Sequence, residues 1–349
     1  MQIAINFEDS TGEVPVDLME LWKTQNPVVL ADVEMNTEVQ VLDAVVTAMS
    51  KWMKDDVTTT VTTESKKWLL VSGLQKAIRR GNAEKARQCG HAILGLDSTY
   101  LWRRLCVIAL EDIGWANPVA CAMTLAVASS KSFRKAHDER ELLFFIIDML
   151  SLGMKDRTLC DWVNIRMATP EKLHFNRQEF DHQMVNSDMP FVGKFMAVKG
   201  RMMMRPELFL AVLPQWKMLQ KNPKFWVHVE DRTEEEIRGV PASAYDQHVA
   251  VGKRSLAYFA KACPAVRKIV DQFPFVDKLA VLGGIVFVLE GALLDRQFRF
   301  EGWQEIWEAG LDSDYGFMSG MPKEMQIALI DAVRQNFESL NKARIRVSE

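Results

Sequence analysis

Helix stops and helix starts alternate so regularly over residues 68–118 that this stretch admits little besides a stack of short helices. It reads WLLVSGLQKAIRRGNAEKARQCGHAILGLDSTYLWRRLCVIALEDIGWANP. Leu69, Leu70, Gly73, Leu74 and Ile78 share one helical face, with Ser65 as cap and Gly81 as stop. Asn82 predicts the cap of a second helix through Ala83, Ala86, Cys89 and Ile93, ending at Gly95. Asp97 or Ser98 predicts a third start, with Leu101, Leu105, Ile108 and Ala109 as its apolar stripe and Gly114 as its end. Asn117 followed by Pro118 joins a capping residue to proline at the first helical position, a strong start for a fourth helix.

Around that stretch the chain divides into four predicted regions, and the predicted class is mainly α. Residues 1–65 read as an acidic α/β segment. It has strand-like alternation at 2–7, a second strand at 28–35, and a helix over 37–54 capped by Asn36 or Thr37. Its β-branched run at 57–63 is a strand or an extended linker. Residues 66–169 read as a helical domain, with further helices at 138–152 and 157–168. Residues 170–241 read as an irregular connecting subdomain holding one helix, 206–220, and an extended stretch at 225–230. Residues 242–349 read as a second helical domain, with helices at 244–262, between Pro264 and Pro274, at 275–295, at 303–309 and at 323–344.

Charge separates the first region from the others. Residues 1–65 carry twelve acidic and three basic side chains, a net of −9, whereas the remaining 34 acidic and 40 basic residues net +6. The whole chain nets −3, which argues against a protein coated in basic charge for nucleic acid but not against a local patch. The acidic segment is read as a solvated face, with contact to the basic remainder, or mimicry or repulsion of nucleic acid, as the alternatives. The five cysteines, Cys89, Cys106, Cys121, Cys160 and Cys263, lie far apart with no C-x-x-C pair, as expected for buried free thiols in a reducing cytoplasm. No basic stretch followed by an apolar run opens the chain, so no signal peptide is expected. The apolar run 279–289 is too short to span a bilayer, so no membrane partner is expected.

Three clusters within residues 66–168 carry a family resemblance. They are Leu74-Gln75-Lys76-Ala77-Ile78-Arg79-Arg80-Gly81 with Asn82-Ala83, then Tyr100-Leu101-Trp102-Arg103-Arg104-Leu105, then Ala109-Leu110-Glu111-Asp112-Ile113-Gly114 with Ala116-Asn117-Pro118. In order and spacing they resemble the C-terminal, non-ATPase region of the RarA/MgsA family, AAA+ ATPases related to clamp loaders. The resemblance implies a helical collar that supports oligomerisation, and work in DNA replication, recombination or repair. The implied partners are further copies of the chain, a replisome protein, a separate AAA+ ATPase, or DNA. It does not carry ATP hydrolysis across. No G-x-x-x-x-G-K-[ST] phosphate loop occurs, and Gly193-Lys194-Phe195 and Gly252-Lys253-Arg254 lack the glycine and hydroxyl residues such a cradle needs. The family pattern is not visible beyond Gly153, and no cofactor is expected.

The residues themselves leave several readings open. Lys76, Arg79, Arg80, Lys85 and Arg87, with Arg103 and Arg104, form the best nucleic-acid candidate, because paired arginines at a helix end suit phosphates. A solvated or salt-bridged face stands beside that reading. Glu111, Asp112, Gly114, Asn117 and Pro118 suggest a polar clasp at a helix junction, with Arg103 and Arg104 as partners of Glu111 or Asp112. In that clasp Asp112 would accept from the free N–H groups of the next helix. Asp246, His248 and Lys253 form a speculative site, whose reading is a metal-dependent enzyme around Asp246 and His248; on a helix, positions two apart do not face each other, so a metal there needs further ligands. Gly252 there suggests close packing or room for a ligand. His174 and His182 with Glu179, Asp181 and Asp188 are a looser metal candidate. Met202 to Met204 and the pair Trp303 and Trp307 are read as core, with contact surface as the alternative.

Overall fold

The computed structural model describes residues 14–25, 36–52, 67–168, 176–203, 207–221, 224–229, 234–272, 278–314 and 321–349. The strands expected at 2–7, 28–35 and 57–63, the Ser65 cap and His174 lie outside the described residues. The protein is mainly helical. In chain order, β1 is Val14–Val16, α1 Leu18–Gln25, α2 Glu38–Lys51, α3 Lys67–Arg79 and α4 Ala83–Ile108. A π-helical turn, Ala109–Ile113, and a 3-10 turn, Gly114–Ala116, lead to α5 Pro118–Ser129, α6 Lys131–Ala136, α7 Glu139–Leu152 and α8 Thr158–Ala168. Then come α9 Arg177–Asn186, α10 Phe191–Met203, α11 Leu208–Lys221, β2 Phe225–Val229, β3 Glu236–Ile237, β4 Val240–Pro241, α12 Ala250–Ala262 and α13 Pro264–Val270. The chain closes with α14 Lys278–Val286, a second π-turn Phe287–Gly291, β5 Arg296–Phe300, α15 Trp303–Asp314, α16 Lys323–Arg334 and α17 Phe337–Ser348.

Local chemistry sets several helix starts. Each helix leaves its first N–H groups without an internal acceptor, and short polar side chains supply one. Thr37 Oγ1 accepts from Gln40 N–H at 3.3 Å, Asn82 Oδ1 from Lys85 N–H at 3.0 Å, and Asn117 Oδ1 from Ala120 N–H at 3.0 Å. Asp138 Oδ1 caps α7 by accepting from Arg140 and Glu141. The second and third expected helices meet within α4 at Asp97, two residues beyond the expected stop at Gly95. Asp97 breaks the helical backbone with φ −162° and ψ 81° and caps the second half by accepting from Tyr100 N–H at 2.9 Å. The start expected at Asp97 is therefore present, across a kink.

Other boundaries differ more. The chain from 242 to 249 is a 3-10 turn and loop, so α12 begins at Ala250 rather than 244. The closing helix breaks at Gln335–Asn336 into α16 and α17. Residues 170–241 are not irregular: α9, α10 and α11 occupy most of their described part, Pro214 sitting inside α11. The alternating RQFRF, which lies between the helices expected at 275–295 and 303–309, forms β5.

β2 is the centre of a three-stranded antiparallel sheet, with Val14 opposite Val227 and Phe298 opposite Val227. Lys155 bridges to Gln297 beside it, and so ties the sheet to the end of α7. The larger apolar core gathers α2 to α11 around α5, whose residues from Pro118 to Ala128 are all buried. Trp22, Trp115 and Trp216 stack there; Trp22 Nε1 donates to the Trp115 carbonyl and Trp115 Nε1 to that of Val212. Gly114 makes this turn with φ +48°, a conformation that disfavours a side chain. A second apolar cluster lies among α12 to α17, around Leu256, Phe259, Val266, Leu282, Leu329 and Val333. No described helix is long and apolar enough to cross a membrane.

Candidate functional site

Helix α3 buries its polar residues. Gln75, Lys76 and Arg79 are 2%, 4% and 1% exposed, so each needs partners to offset lost hydration. Two π-turns supply them. In both, the i→i+5 hydrogen bond widens the helix: Gly114 N–H donates to the Ala109 carbonyl, and Ala292 N–H to the Phe287 carbonyl. The first turn swings Glu111 and Asp112 toward α3. The second presents the carbonyls of Glu290 and Gly291 and the ring of Phe287.

Asp112 is the centre of the resulting lattice. Fully buried, it accepts from Gln75 Nε2 at 2.7 Å, Arg79 Nε at 2.8 Å and Arg157 at 2.6 Å. Arg79 also reaches Glu111 Oε1 at 3.1 Å and the Gly291 carbonyl at 2.6 Å. Arg80 donates to the carbonyls of Leu293 and Glu290 and pairs with Glu234. Arg344 on α17 closes on Glu290 through two nitrogens, at 3.0 and 2.6 Å. Lys76, Arg79 and Arg157 all lie over Phe287, at 5.4 to 5.7 Å from its centroid. Segments far apart in the chain are thereby held at one junction.

Lys76 forms a buried ion pair with Asp246. Asp246 precedes α12 in a tight turn, where its Oδ1 accepts from His248 N–H at 2.8 Å and lies 3.2 Å from His248 Nδ1. The two side chains meet because they are in a turn and not on a helix, which corrects the reading from helical spacing. Gly252 makes the turn possible, since a Cβ there would overlap the Asp246 carbonyl oxygen. Burial works to raise the Asp246 carboxyl, but Lys76 and His248 hold it well below the ordinary range. Burial likewise opposes ionisation of Glu111, and Arg79, Arg157 and Arg104 outweigh it, bringing that carboxyl to about 2.

A pocket of about 410 Å³ opens over this lattice. Its floor and walls include Gln75, Lys76, Arg79, Arg104, Glu111, His248 and Phe287, with Trp68 and Tyr100 also lining it. Trp68 is 57% exposed and meets the edge of Tyr100 at 5.3 Å. Residues from three separate sequence readings, the basic cluster, the clasp and the Asp246–His248 pair, converge on one cavity.

The placement corrects several expectations. Lys76 and Arg79 are inside the protein and do not form an outward face for phosphates. Lys85 and Arg87 are also buried, paired with Glu236 and Asp148. Arg103 is exposed, while Arg104 turns inward and donates to Gln75 Oε1. Glu111 and Asp112 are bound by Arg79 and Arg157 instead of Arg103 and Arg104, because the π-turn re-aims the carboxylates. Asn117, not Asp112, caps the next helix. Lys253 is exposed on α12 and lines no part of the pocket. In the looser cluster, Asp181 pairs with Arg201, Asp188 accepts from Trp216 and Gln220, and Glu179 from Gln183. Among the described residues no three His, Cys, Asp or Glu side chains are placed to hold a metal ion. Met202 is exposed, and Trp303 and Trp307 stack at 5.8 Å. The five cysteines are free, and burial pushes the Cys89 and Cys106 thiols up to about 12. Arg157, Gln75 and Phe287 were missed as site residues; Arg157 adjoins Asp156 at a helix start, and nothing in its spacing points to Asp112.

No protein-family model, curated protein or solved structure matches the chain.

Proposed function

We propose that this is a non-enzymatic assembly or adaptor protein associated with DNA replication, recombination or repair, built on a collar-like helical block. The observation that carries the reading is the use made of the motif charges. Arg79, Arg80, Glu111 and Asp112, which bear the resemblance to the RarA/MgsA collar, bind α3 to both π-turns. Charges spent in this way fix helix angles and leave contacts with partners to the surface. Val39 and Val46, 66% and 42% exposed, stand seven residues apart on one side of α2 and offer an apolar edge for a second copy. Light scattering after size-exclusion chromatography tests this: self-association at micromolar concentration, weakened by Val39→Glu with Val46→Glu, is expected. A strict monomer argues against it.

A second reading, direct nucleic-acid binding, is favoured by a different surface from the one expected. Lys253, Arg254, Lys261, Arg267 and Lys268 are exposed on α12 and α13, and residues 247–270 contain no acidic side chain. Arg346 lies over Tyr258 on the same side of α12, 5.3 Å from its ring. Such a face suits a phosphate backbone, whose binding weakens steeply with salt. A salt-dependent gel shift lost in Lys253→Glu with Arg254→Glu, and kept in Arg103→Glu, supports this reading; the reverse pattern removes it.

A further inference from the structure

Three of the four cations around the pocket have carboxylate partners. Lys76 pairs with Asp246, while Arg79 and Arg157 share Asp112 and Glu111. Arg104 has no carboxylate within ion-pair distance among the described residues. Its single hydrogen bond goes to the neutral amide of Gln75, and its Nε–H is buried with no acceptor. The three carboxylates are already engaged by the other cations, so the lattice carries one positive charge beyond neutrality, before any charge on His248. A buried donor without a partner is destabilising, and more so when it is charged.

The same cavity is lined by aromatic surface from separate segments. Trp68 and Tyr100 meet edge to face, and Phe287 lies under Lys76 and Arg79 with the His248 ring 5.2 Å away. Ser72, Gln75 and Glu111 add polar edges. A volume of about 410 Å³ lies within the range of small-molecule sites and is too confined for a folded partner. A guanidinium with no carboxylate at ion-pair distance, beside aromatic faces, matches a ligand that carries an anion and a ring.

We propose that this pocket binds a small planar ring carrying one carboxylate or phosphate group. The anion neutralises Arg104 and the ring lies against Trp68, Tyr100 and Phe287. This site is independent of the assembly reading, which concerns α2 and the outer surface.

The test uses the full chain, isothermal titration calorimetry and saturation-transfer NMR. The probes are adenosine and guanosine 5′-monophosphates and indole-3-carboxylate. Adenosine, indole, acetate and inorganic phosphate serve as controls. At least one ring-bearing anion is expected to bind with Kd below about 1 mM, at least tenfold tighter than its uncharged counterpart and than the bare anion. Whether the nucleotides or the carboxylate bind identifies the source of the anion. Arg104→Gln is expected to weaken binding about tenfold or more, the loss of a charge-assisted hydrogen bond. Trp68→Ala, at a position 57% exposed, is expected to weaken it about threefold or more. The proposal is overturned by absence of binding for every ring-bearing anion at millimolar concentration. Equal binding of uncharged rings, or of acetate or inorganic phosphate, overturns it too, as does unchanged affinity in Arg104→Gln. Should Arg104→Gln fail to fold, unchanged affinity in Trp68→Ala overturns it alone.

Discussion

Replacing Asp112 by asparagine removes one charge and almost no volume from the centre of the lattice. In the native protein its two oxygens receive Gln75 Nε2, Arg79 Nε and Arg157, all within 2.8 Å. In Asp112→Asn one oxygen becomes an amide nitrogen that donates toward donors. Of the two carboxylates that Arg79 and Arg157 share, only Glu111 then remains, 18% exposed and 3.1 and 3.5 Å from them. Removing one partner of a buried ion pair costs about 3–5 kcal/mol, because the surviving charge stays desolvated. We expect Asp112→Asn to lower the unfolding free energy by about 4 kcal/mol. Glu111→Gln, at a partly hydrated position, should cost less, about 1–2 kcal/mol. Urea denaturation followed by circular dichroism measures both, with the slope on urea checked for constancy. If Asp112→Asn costs under about 1 kcal/mol at unchanged slope, the lattice does not hold the helices and the reasoning fails.

Further outcomes follow from the same geometry. Gly252→Ala should cost about 3 kcal/mol, because its Cβ meets the Asp246 backbone and not a flexible side chain; a neutral result in thermal melts would remove the argument for close packing. Asp156 is fully buried, and burial raises its carboxyl to about 6 despite hydrogen bonds from Thr158. Its folded value lies above the ordinary 3.8, so this group's contribution is complete below pH 3.8 and is lost as pH rises through 6. Asp156→Asn should therefore stabilise the protein at pH 7.5 by about 1 kcal/mol or more and flatten the change between about pH 4 and 6. Gln215 can turn its unbonded Oε1 toward the new amide. Glu111 has the opposite sign: its folded value of about 2 is below 4.5, so its contribution is present above pH 4.5 and lost as pH falls toward 2. Glu111→Gln should shift the acid-unfolding midpoint upward, and an unmoved midpoint would contradict that assignment.

Much of the fold was legible because caps are local. Asn82, Asn117 with Pro118, and Asp138 act within three residues, so their role needs no tertiary knowledge. The π-turns were not legible. One added residue per turn leaves composition and spacing almost unchanged while rotating Glu111 and Asp112 to another neighbour. The partners of α3 were hidden by distance in sequence: Lys76 and Asp246 are 170 residues apart, and the Arg79 donation to the Gly291 carbonyl spans 212. An arginine in an exposed ion pair and one in a buried lattice look alike in a sequence, because only packing decides which is desolvated. For the same reason the outward basic surface was sought at Lys76 to Arg104 and is instead on α12 and α13.

Amine acetylation mapped by mass spectrometry on the folded chain tests the central claim most directly, since it reads which cations are inside. Lys76 and Lys155, 4% and 0% exposed, should stay unmodified until the protein unfolds, while the exposed Lys253, Lys261 and Lys268 react early. Modification of Lys76 as fast as Lys253 in native protein would contradict a buried lattice at α3.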